Sequence, residues 1–421
     1  MFASLQSFIR HELDLFHRLS SAARALYFSI LSQSIAAPLL GGAFSISYLW
    51  RISSSLEAVF VFFLFLYAGI YSGMLLNGVL LRRLSVIRIY ASGLLLQGLA
   101  MGALYLLPTT TPGLEILAGF GSGMFMGIYW GNRNVLMLTI LRGADREYFS
   151  ALEVLTTQLL SIVAPLAWGW FIALRSVRHE AVDQYPILMA VICVVLLTGT
   201  LQVWRARLDV PDLGPRLSPR FFPGLWAIRA FCFVSGFGSF VFYTFPPLCT
   251  LRLLGMEGVL GTVQSVAAML SALVVYLVNG RGRPLTLPLF RASVVLFLLA
   301  GVVLAIWFNT AGAVVFVLCC TIALPLMWST INPMVYGALS AMSPTGQHYA
   351  LICDREISLT AGRVVAGALL CLLVFLFSTD FVLRFGLIIV AVLQVPSLLL
   401  ADRVQKMRRD VPAATAVSLF R

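Results

Sequence analysis

The sequence predicts an all-α, polytopic membrane protein whose twelve transmembrane helices form two pseudo-symmetric six-helix bundles. Of its 421 residues, 60% are hydrophobic and only 11% are charged, and the mean hydropathy is +0.95. A water-soluble domain needs more polar surface than this composition supplies. Apolar runs of about 20 residues, long enough to cross a bilayer, recur along the chain. Motifs of the first half also return in the second half.

Twelve apolar runs are predicted to span the membrane, six on either side of a polar, proline-rich stretch. The runs cover residues 23–50, 56–81, 86–107, 113–140, 149–174, 186–204, 225–250, 258–279, 285–307, 311–341, 349–377 and 380–401. The predicted domains are a cytoplasmic amphipathic segment (1–22), an N-terminal six-helix bundle (23–204), a cytoplasmic linker (205–223), a C-terminal six-helix bundle (224–402) and a basic cytoplasmic tail (403–421).

Four short motifs occur twice, in the same order in each half. The pairs are centred on Arg24 and Arg229, Asn77 and Asn279, Trp130 and Trp328, and Tyr148 and Tyr349. Their offsets are 205, 202, 198 and 201 residues, close to half of the 421 residues. Four ordered pairs at a nearly constant offset predict an internal duplication, which is a common plan of secondary transporters.

The basic residues indicate the orientation of the spans. With the N-terminus inside, the loops and tails on that side carry eighteen of the 29 Lys and Arg, and those on the other side carry five. By the positive-inside rule, both termini are expected to be cytoplasmic. Because the basic residues are divided among short loops and form no continuous patch, the net charge of +12 does not indicate a nucleic-acid partner.

The stretch after the second span resembles a loop signature of the major facilitator superfamily, Gly-x-x-x-Asp-(Arg/Lys)-x-Gly-Arg-(Arg/Lys). The chain keeps the leading Gly73 and the trailing Arg82 and Arg83, whereas Asn77 replaces the acid and the inner glycine is missing. The twelve spans, the six-plus-six division and the basic central loop extend the resemblance over the whole chain. The Arg-Glu and Gly-Arg pairs within 355–363 resemble a bacterial group of that superfamily.

The resemblance implies two six-helix bundles around a central cavity, in the inner membrane of a bacterium. It also implies secondary active transport of a small solute by alternating access, with possible coupling to protons. The expected partners are a small-molecule substrate and the lipid bilayer, and the expected state is a monomer without cofactor.

The predicted span 113–140 carries a glycine stripe. Gly119, Gly123, Gly127 and Gly131 recur every fourth residue, so on a helix they form one smooth face that a neighbouring backbone can approach. Arg133 points away from this face. A guanidinium at that depth needs a cavity or a partner, because exposure to lipid is costly.

The candidate partner of Arg133 is Glu153 on the following span. Both residues are expected about 10 Å inside the cytoplasmic boundary, because a short loop joins their antiparallel helices. Two interpretations stay open. The pair is either a proton-sensitive or substrate-facing site, or a structural salt bridge that holds the hairpin together.

The span 349–377 gives the strongest functional-site signal. It contains four ionisable residues within ten positions: Asp354, Arg355, Glu356 and Arg363. Such charges in a membrane span are costly unless they are paired or hydrated, so they either line the cavity or form a structural network. The hypothesis is that the arginines hold an anionic or zwitterionic group while Glu153 or Glu356 exchanges a proton.

Further polar residues are assigned supporting roles. Possible hydrogen bonds to a ligand come from Gln33, Asn134, Ser239, Tyr243 and Asn332. Asn77 and Asn279 close two apolar runs, and they act either in structural gating or in direct contact with substrate. Arg229, at the start of the seventh span, is interpreted as an interfacial anchor.

The sequence lacks the motifs of several classes of protein function. The sequence has no nucleotide-binding Gly-x-x-x-x-Gly-Lys-(Ser/Thr), no cluster with metal-site spacing and no nucleophile motif. An enzyme is therefore not expected, and an integral-membrane enzyme is the weaker alternative. A membrane-embedded scaffold or receptor on a transporter fold is the other alternative.

Overall fold

A computed structural model of the chain describes residues 14–107, 109, 111–141, 143–206, 224–279, 286–342 and 348–410. The described residues are 89% helical and contain no β-strand. The predicted all-α fold is therefore confirmed.

The helices follow the predicted apolar runs closely. They are α1 (Ser21–Ala36), α2 (Ala43–Ser53), α3 (Leu56–Leu80), α4 (Val86–Tyr105), α5 (Pro112–Ile140), α6 (Gly143–Arg175), α7 (Gln184–Arg205), α8 (Trp226–Leu254), α9 (Glu257–Asn279), α10 (Thr286–Ile306), α11 (Thr310–Met342), α12 (His348–Leu376), α13 (Thr379–Gln394) and α14 (Ser397–Asp410).

Eleven helical segments of the described residues are long and apolar enough to cross a membrane. Two of these segments each combine two helices, α1 with α2 and α13 with α14. The remaining predicted span, α5, is 29 residues long but is not among the eleven. Its glycines and the polar run at Asn132–Asn134 make it less apolar, and it packs between α3 and α4.

The first predicted span, 23–50, is not one continuous helix. Between α1 and α2 the chain forms a single 3-10 turn, Ala37–Leu39, and a short non-helical link. Pro38 cannot donate a backbone hydrogen bond, and Gly41 has a φ of 98°, which residues with a Cβ rarely adopt. The last predicted span, 380–401, is likewise divided, between α13 and α14 at Pro396.

The backbone groups freed at the first break are satisfied inside the protein. Tyr105 donates its hydroxyl to the Leu39 carbonyl at 2.7 Å, and the Gly41 amide donates to Ser45 Oγ at 2.8 Å. Non-helical backbone is tolerated at membrane depth only when it is buried in protein or lines a cavity. The break is therefore a stable part of the fold, because its backbone groups are hydrogen-bonded within the protein.

The glycine stripe of α5 faces a neighbouring backbone, as the sequence predicts, and the structure identifies this neighbour as α3. A Cβ added at Gly123 would lie 1.9 Å from the Leu66 carbonyl oxygen, and one added at Gly127 would lie 2.0 Å from that of Ile70. Such separations leave no space for any side chain. The two helices are therefore in direct backbone contact.

The helices before and after the stretch 207–223 meet along four pairs: α3 with α12, α6 with α9, α2 with α8, and, over a smaller contact, α2 with α9. We call these two sets of helices the halves. At the α6–α9 contact, a Cβ on Gly261 would lie 2.3 Å from the Pro165 carbonyl oxygen. The end where α1 begins and α14 ends is called the terminal face, and the other end is called the opposite face.

Candidate functional site

Among the polar contacts that join the two halves, three lie at successive depths between the two faces. We name them the latch (Arg51 and Glu257) at the opposite face, the central cluster (Tyr67, Ser239, Tyr243 and Arg363), and the terminal bond (Asn77 and Tyr349).

The latch is an ion pair between α2 and α9. Arg51, in the last turn of α2, donates Nη2 to Glu257 Oε2 at 2.7 Å and also donates Nε to Oε1. Ser47 donates a further bond to Oε1 at 3.1 Å. The Glu257 side chain is only 3% exposed, and it lies in the first turn of α9, where the helix dipole favours a carboxylate.

Aromatic rings close the space beneath the latch. Phe60 of α3 stacks on Phe245 of α8 with ring centroids 5.9 Å apart, and its ring is 6.1 Å from that of Phe240. All three side chains are fully buried. Together with the latch, this apolar contact joins the two halves toward the opposite face.

The central cluster surrounds Arg363 in the middle of α12. Arg363 Nε donates to Ser239 Oγ of α8 at 2.8 Å, and the guanidinium carbon lies 4.7 Å from the centroid of the Tyr67 ring of α3. Arg363 is 9% exposed. No carboxylate among the described residues lies within 4 Å of it.

Tyr243 is the exposed member of the central cluster. It is 41% exposed, whereas the other residues from position 227 to 251 of α8 are buried or half-buried. It lies within electrostatic range of Arg363 and next to Trp328 of α11. Tyr243 is therefore the accessible side chain beside Arg363 on this stretch of α8.

The predicted pair of Arg133 and Glu153 is present. Arg133 Nη2 donates to Glu153 Oε1, and its guanidinium carbon lies 4.8 Å from the Trp130 ring centroid. Both side chains are largely buried. The stacked, buried rings of Tyr90 and Tyr129 lie near the pair.

Arg229, which the sequence analysis interprets as an interfacial anchor, pairs with a carboxylate in its own half. It donates Nε and Nη2 to the two carboxylate oxygens of Asp354 at 2.8 and 2.7 Å. The Asp354 side chain is 2% exposed and that of Arg229 is 26% exposed, so this is a half-buried bidentate pair between α8 and α12. The partner lies 125 residues away, which is why the sequence did not indicate it.

Arg355 is also engaged within its own half. It donates to Glu356 Oε1 at 2.6 Å and to Asn332 Oδ1 of α11 at 2.8 Å. Of the four ionisable residues predicted in this span, three therefore have a partner of opposite charge. Asp354 pairs with Arg229 and Arg355 pairs with Glu356, whereas Arg363 stands apart from both pairs.

The other predicted side chains have mixed environments. Gln33 exchanges hydrogen bonds with Gln97, one of them at 2.6 Å, so it is already satisfied. Asn134 accepts a long bond of 3.5 Å from Arg133 Nη1. The side chain of Asn279 lies outside the part of the chain that the structure describes.

The terminal bond involves Asn77, one of the two predicted gating residues. Asn77 Nδ2 donates to the Tyr349 hydroxyl at 2.9 Å, and this hydroxyl donates to the Met74 carbonyl at 2.6 Å. Asn132 donates to Asn77 Oδ1 at 2.7 Å and holds its orientation. Asn77 thus contacts the other half directly, through a residue that belongs to another repeated motif.

The Arg133–Glu153 pair gives a first prediction. Glu153→Gln should lower the free energy of unfolding by about 2–4 kcal/mol, because it leaves a buried guanidinium without its counter-charge. The double variant Arg133→Glu with Glu153→Arg should recover much of the loss. Thermal melts of the purified proteins, followed by loss of the monodisperse chromatography peak, measure both. A single variant that melts like the unaltered protein would contradict a structural role for the pair.

Comparison with known proteins supports the fold. The sequence matches no protein-family model, and no curated protein sequence matches it. The structure is similar to the crystal structure of a mutant of the nucleoside transporter NupG, with a TM-score of 0.62 and 13% sequence identity. The similarity covers 95% of this chain and 99% of that chain. This likeness shows a membrane-transporter fold.

Proposed function

We propose that the chain is a secondary active transporter of the major facilitator type, which moves a small solute by alternating access. One observation carries this proposal. The latch and the contact of Phe60 with Phe245 join the halves toward the opposite face. The buried Arg363 lies in the middle of α12 and contacts residues of both halves. A site between two mobile halves is the arrangement that alternating access requires.

The contacts between the halves suggest how the motion proceeds. Opening the opposite face requires separation of Arg51 from Glu257 and of Phe60 from Phe245. The terminal bond through Asn77 lies at the other end of α3, so it can persist or tighten while the latch opens. In this proposal the terminal face, with its excess of arginine, is cytoplasmic, and the latch faces the other compartment.

Flux into sealed vesicles tests the proposal. A thermal-shift screen of the purified protein against metabolites first identifies solutes that bind and stabilise the folded state. Proteoliposomes loaded with such a solute should then exchange it for external labelled solute faster than empty liposomes. A solute that stabilises the protein but never crosses the vesicle membrane would favour the scaffold or receptor alternative.

Proton coupling is tested separately, with Glu153→Gln and Glu356→Gln made singly. If either carboxylate carries the proton, uptake driven by a pH gradient should fall at least tenfold in that variant. Exchange at equal pH, which needs no net proton movement, serves as the control and should persist in a variant that still folds. Undiminished pH-driven uptake in both variants would exclude the proton role of these residues.

A further inference from the structure

Arg363 lies near the middle of the membrane. It is 15 residues beyond His348 and 13 before Leu376, the two ends of α12. At 1.5 Å per residue it is about 20 Å from either end of the helix. Because the apolar core of a bilayer is about 30 Å thick, this arginine lies close to its centre.

The charge of Arg363 is not neutralised by its surroundings. Ser239 accepts one hydrogen bond, from Nε, and Tyr67 offers a ring face. Both groups are uncharged. Nη1 and Nη2 have no hydrogen-bond acceptor among the described residues, and they are not among the sealed, unpartnered atoms of the structure. By contrast, Arg133, Arg229 and Arg355 each contact a carboxylate.

An unneutralised cation at this depth is costly to the fold, so its retention indicates a role. The two terminal nitrogens of a guanidinium form a fork that matches the paired oxygens of a carboxylate or phosphate. Here the guanidinium lies beside the exposed side chain of Tyr243. The missing counter-charge is therefore best supplied by a ligand.

We propose that Arg363 binds the acidic group of a small organic anion, and that the exposed ring of Tyr243 packs against a flat ring of the same molecule. This inference rests on the proposed transport function and specifies its substrate class. Tyr67 and Arg363 come from different halves, so an anion at this point contacts both of them. Occupancy of the site would then be coupled to the relative position of the halves.

Two prolines follow Tyr243 within the next turn of α8. Pro246 and Pro247 lie inside α8 and lack the amide hydrogens that would bond the carbonyls of Phe242 and Tyr243. The helix is therefore weakest at the turn that carries the exposed tyrosine. A ligand that contacts this turn can shift the segment of α8 that carries Phe245 and meets the latch region.

Matched pairs of charged and neutral compounds test the proposal on the purified full-length protein. The probes are benzoate, phenylacetate and phenyl phosphate, with benzamide and phenylacetamide as uncharged counterparts of similar shape. We expect at least one of the anions to raise the melting temperature, and the amides to have little effect. Equal effects of anions and amides, or no effect of any anion, would overturn the proposal.

Variants of Arg363 assign the effect to this residue. Arg363→Gln should weaken binding of the stabilising anion about 100-fold, and Arg363→Lys less, because lysine keeps the charge but loses the fork. Arg252→Gln is the control, since Arg252 lies in an exposed pair at the opposite face, and it should bind normally. Unchanged affinity in Arg363→Gln would overturn the proposal.

The melting temperature without ligand separates binding from structure. Removal of a buried, unneutralised charge should leave the unliganded Arg363→Gln protein as stable as the unaltered one, or more stable. A marked loss of stability would show that Arg363 has a structural partner and would count against the proposal. Loss of anion binding at unchanged stability is the expected result.

Flux measurements keep this inference distinct from the proposed function. If vesicles exchange neutral or cationic solutes but not the anions, the proposed transport function is supported and the anion site is refuted. Arg363-dependent binding of an anion that is never exchanged would support the site and refute transport.

Discussion

Gly123→Ala is expected to prevent stable folding of the chain. The added Cβ would lie 1.9 Å from the Leu66 carbonyl oxygen, which belongs to the backbone of α3 and cannot turn aside as a side chain could. The helices would have to separate along a contact that also includes Gly119 and Gly127. We expect a loss of about 3 kcal/mol or more, at or above the upper end of the usual cost of overpacking.

Gly121→Ala provides the matched control. It lies on the same helix two residues earlier, and its Cβ would meet no atom within 4 Å. Both variants make the same chemical change, so any difference reflects the α3–α5 contact. Membrane yield and melting temperature of the two proteins measure the effect. Equal behaviour of the two variants would show that the contact is not as close as described.

Glu257→Gln is expected to open the opposite face. The substitution keeps the size of the side chain but removes the charge that holds Arg51 and leaves the guanidinium without a counter-charge. Because Arg51 is one-third exposed, we expect the lower part of the range for a buried pair, about 2 kcal/mol in the conformational equilibrium. Amide hydrogen exchange near the end of α2 and the start of α9 should accelerate roughly 30-fold.

Asp380→Asn is the control for the latch. It breaks the pair with Arg252, which also lies at the opposite face but joins α8 to α13 inside one half. Both side chains are about half exposed, at 46% and 55%, so the pair should contribute less than about 1 kcal/mol. Hydrogen exchange at the latch should be unchanged in this variant. Equal acceleration in both variants would indicate a general electrostatic effect at this face.

The elements that could be predicted from the sequence are those set by local patterns. Bilayer thickness fixes the length of each apolar run, and the four-residue period of the glycines fixes the face that α5 turns to α3. The pair of Arg133 and Glu153 was also predictable, because a short loop brings these residues to one depth on adjacent helices.

The contacts that define the site could not be predicted in the same way. Arg51 and Glu257 are 206 residues apart, and Arg229 and Asp354 are 125 apart. Their meeting depends on how the halves and the distant helices pack, which a periodic pattern does not encode. Tyr67 was missed as well, because a tyrosine in an apolar run carries no signal of what lies over its ring.

The break in the first span was only partly predictable from the sequence. Pro38 and Gly41 are local signals of a helix break. The surrounding hydrophobicity predicted one continuous span of 23–50 instead. The break is stable because Tyr105 and Ser45, from an adjacent helix and the following one, satisfy its backbone groups.

Two distances, measured in the same protein, test alternating access most directly. Spin labels at Val177 and Trp307 report on the opposite face, and labels at Leu84 and Lys406 report on the terminal face; all four residues are exposed. The seven native cysteines are first replaced. In Glu257→Gln, pulsed electron-resonance measurements should show the first distance lengthening while the second shortens. Two distances that lengthen together, or that both stay unchanged, would contradict a rocking motion of the two halves about a central site.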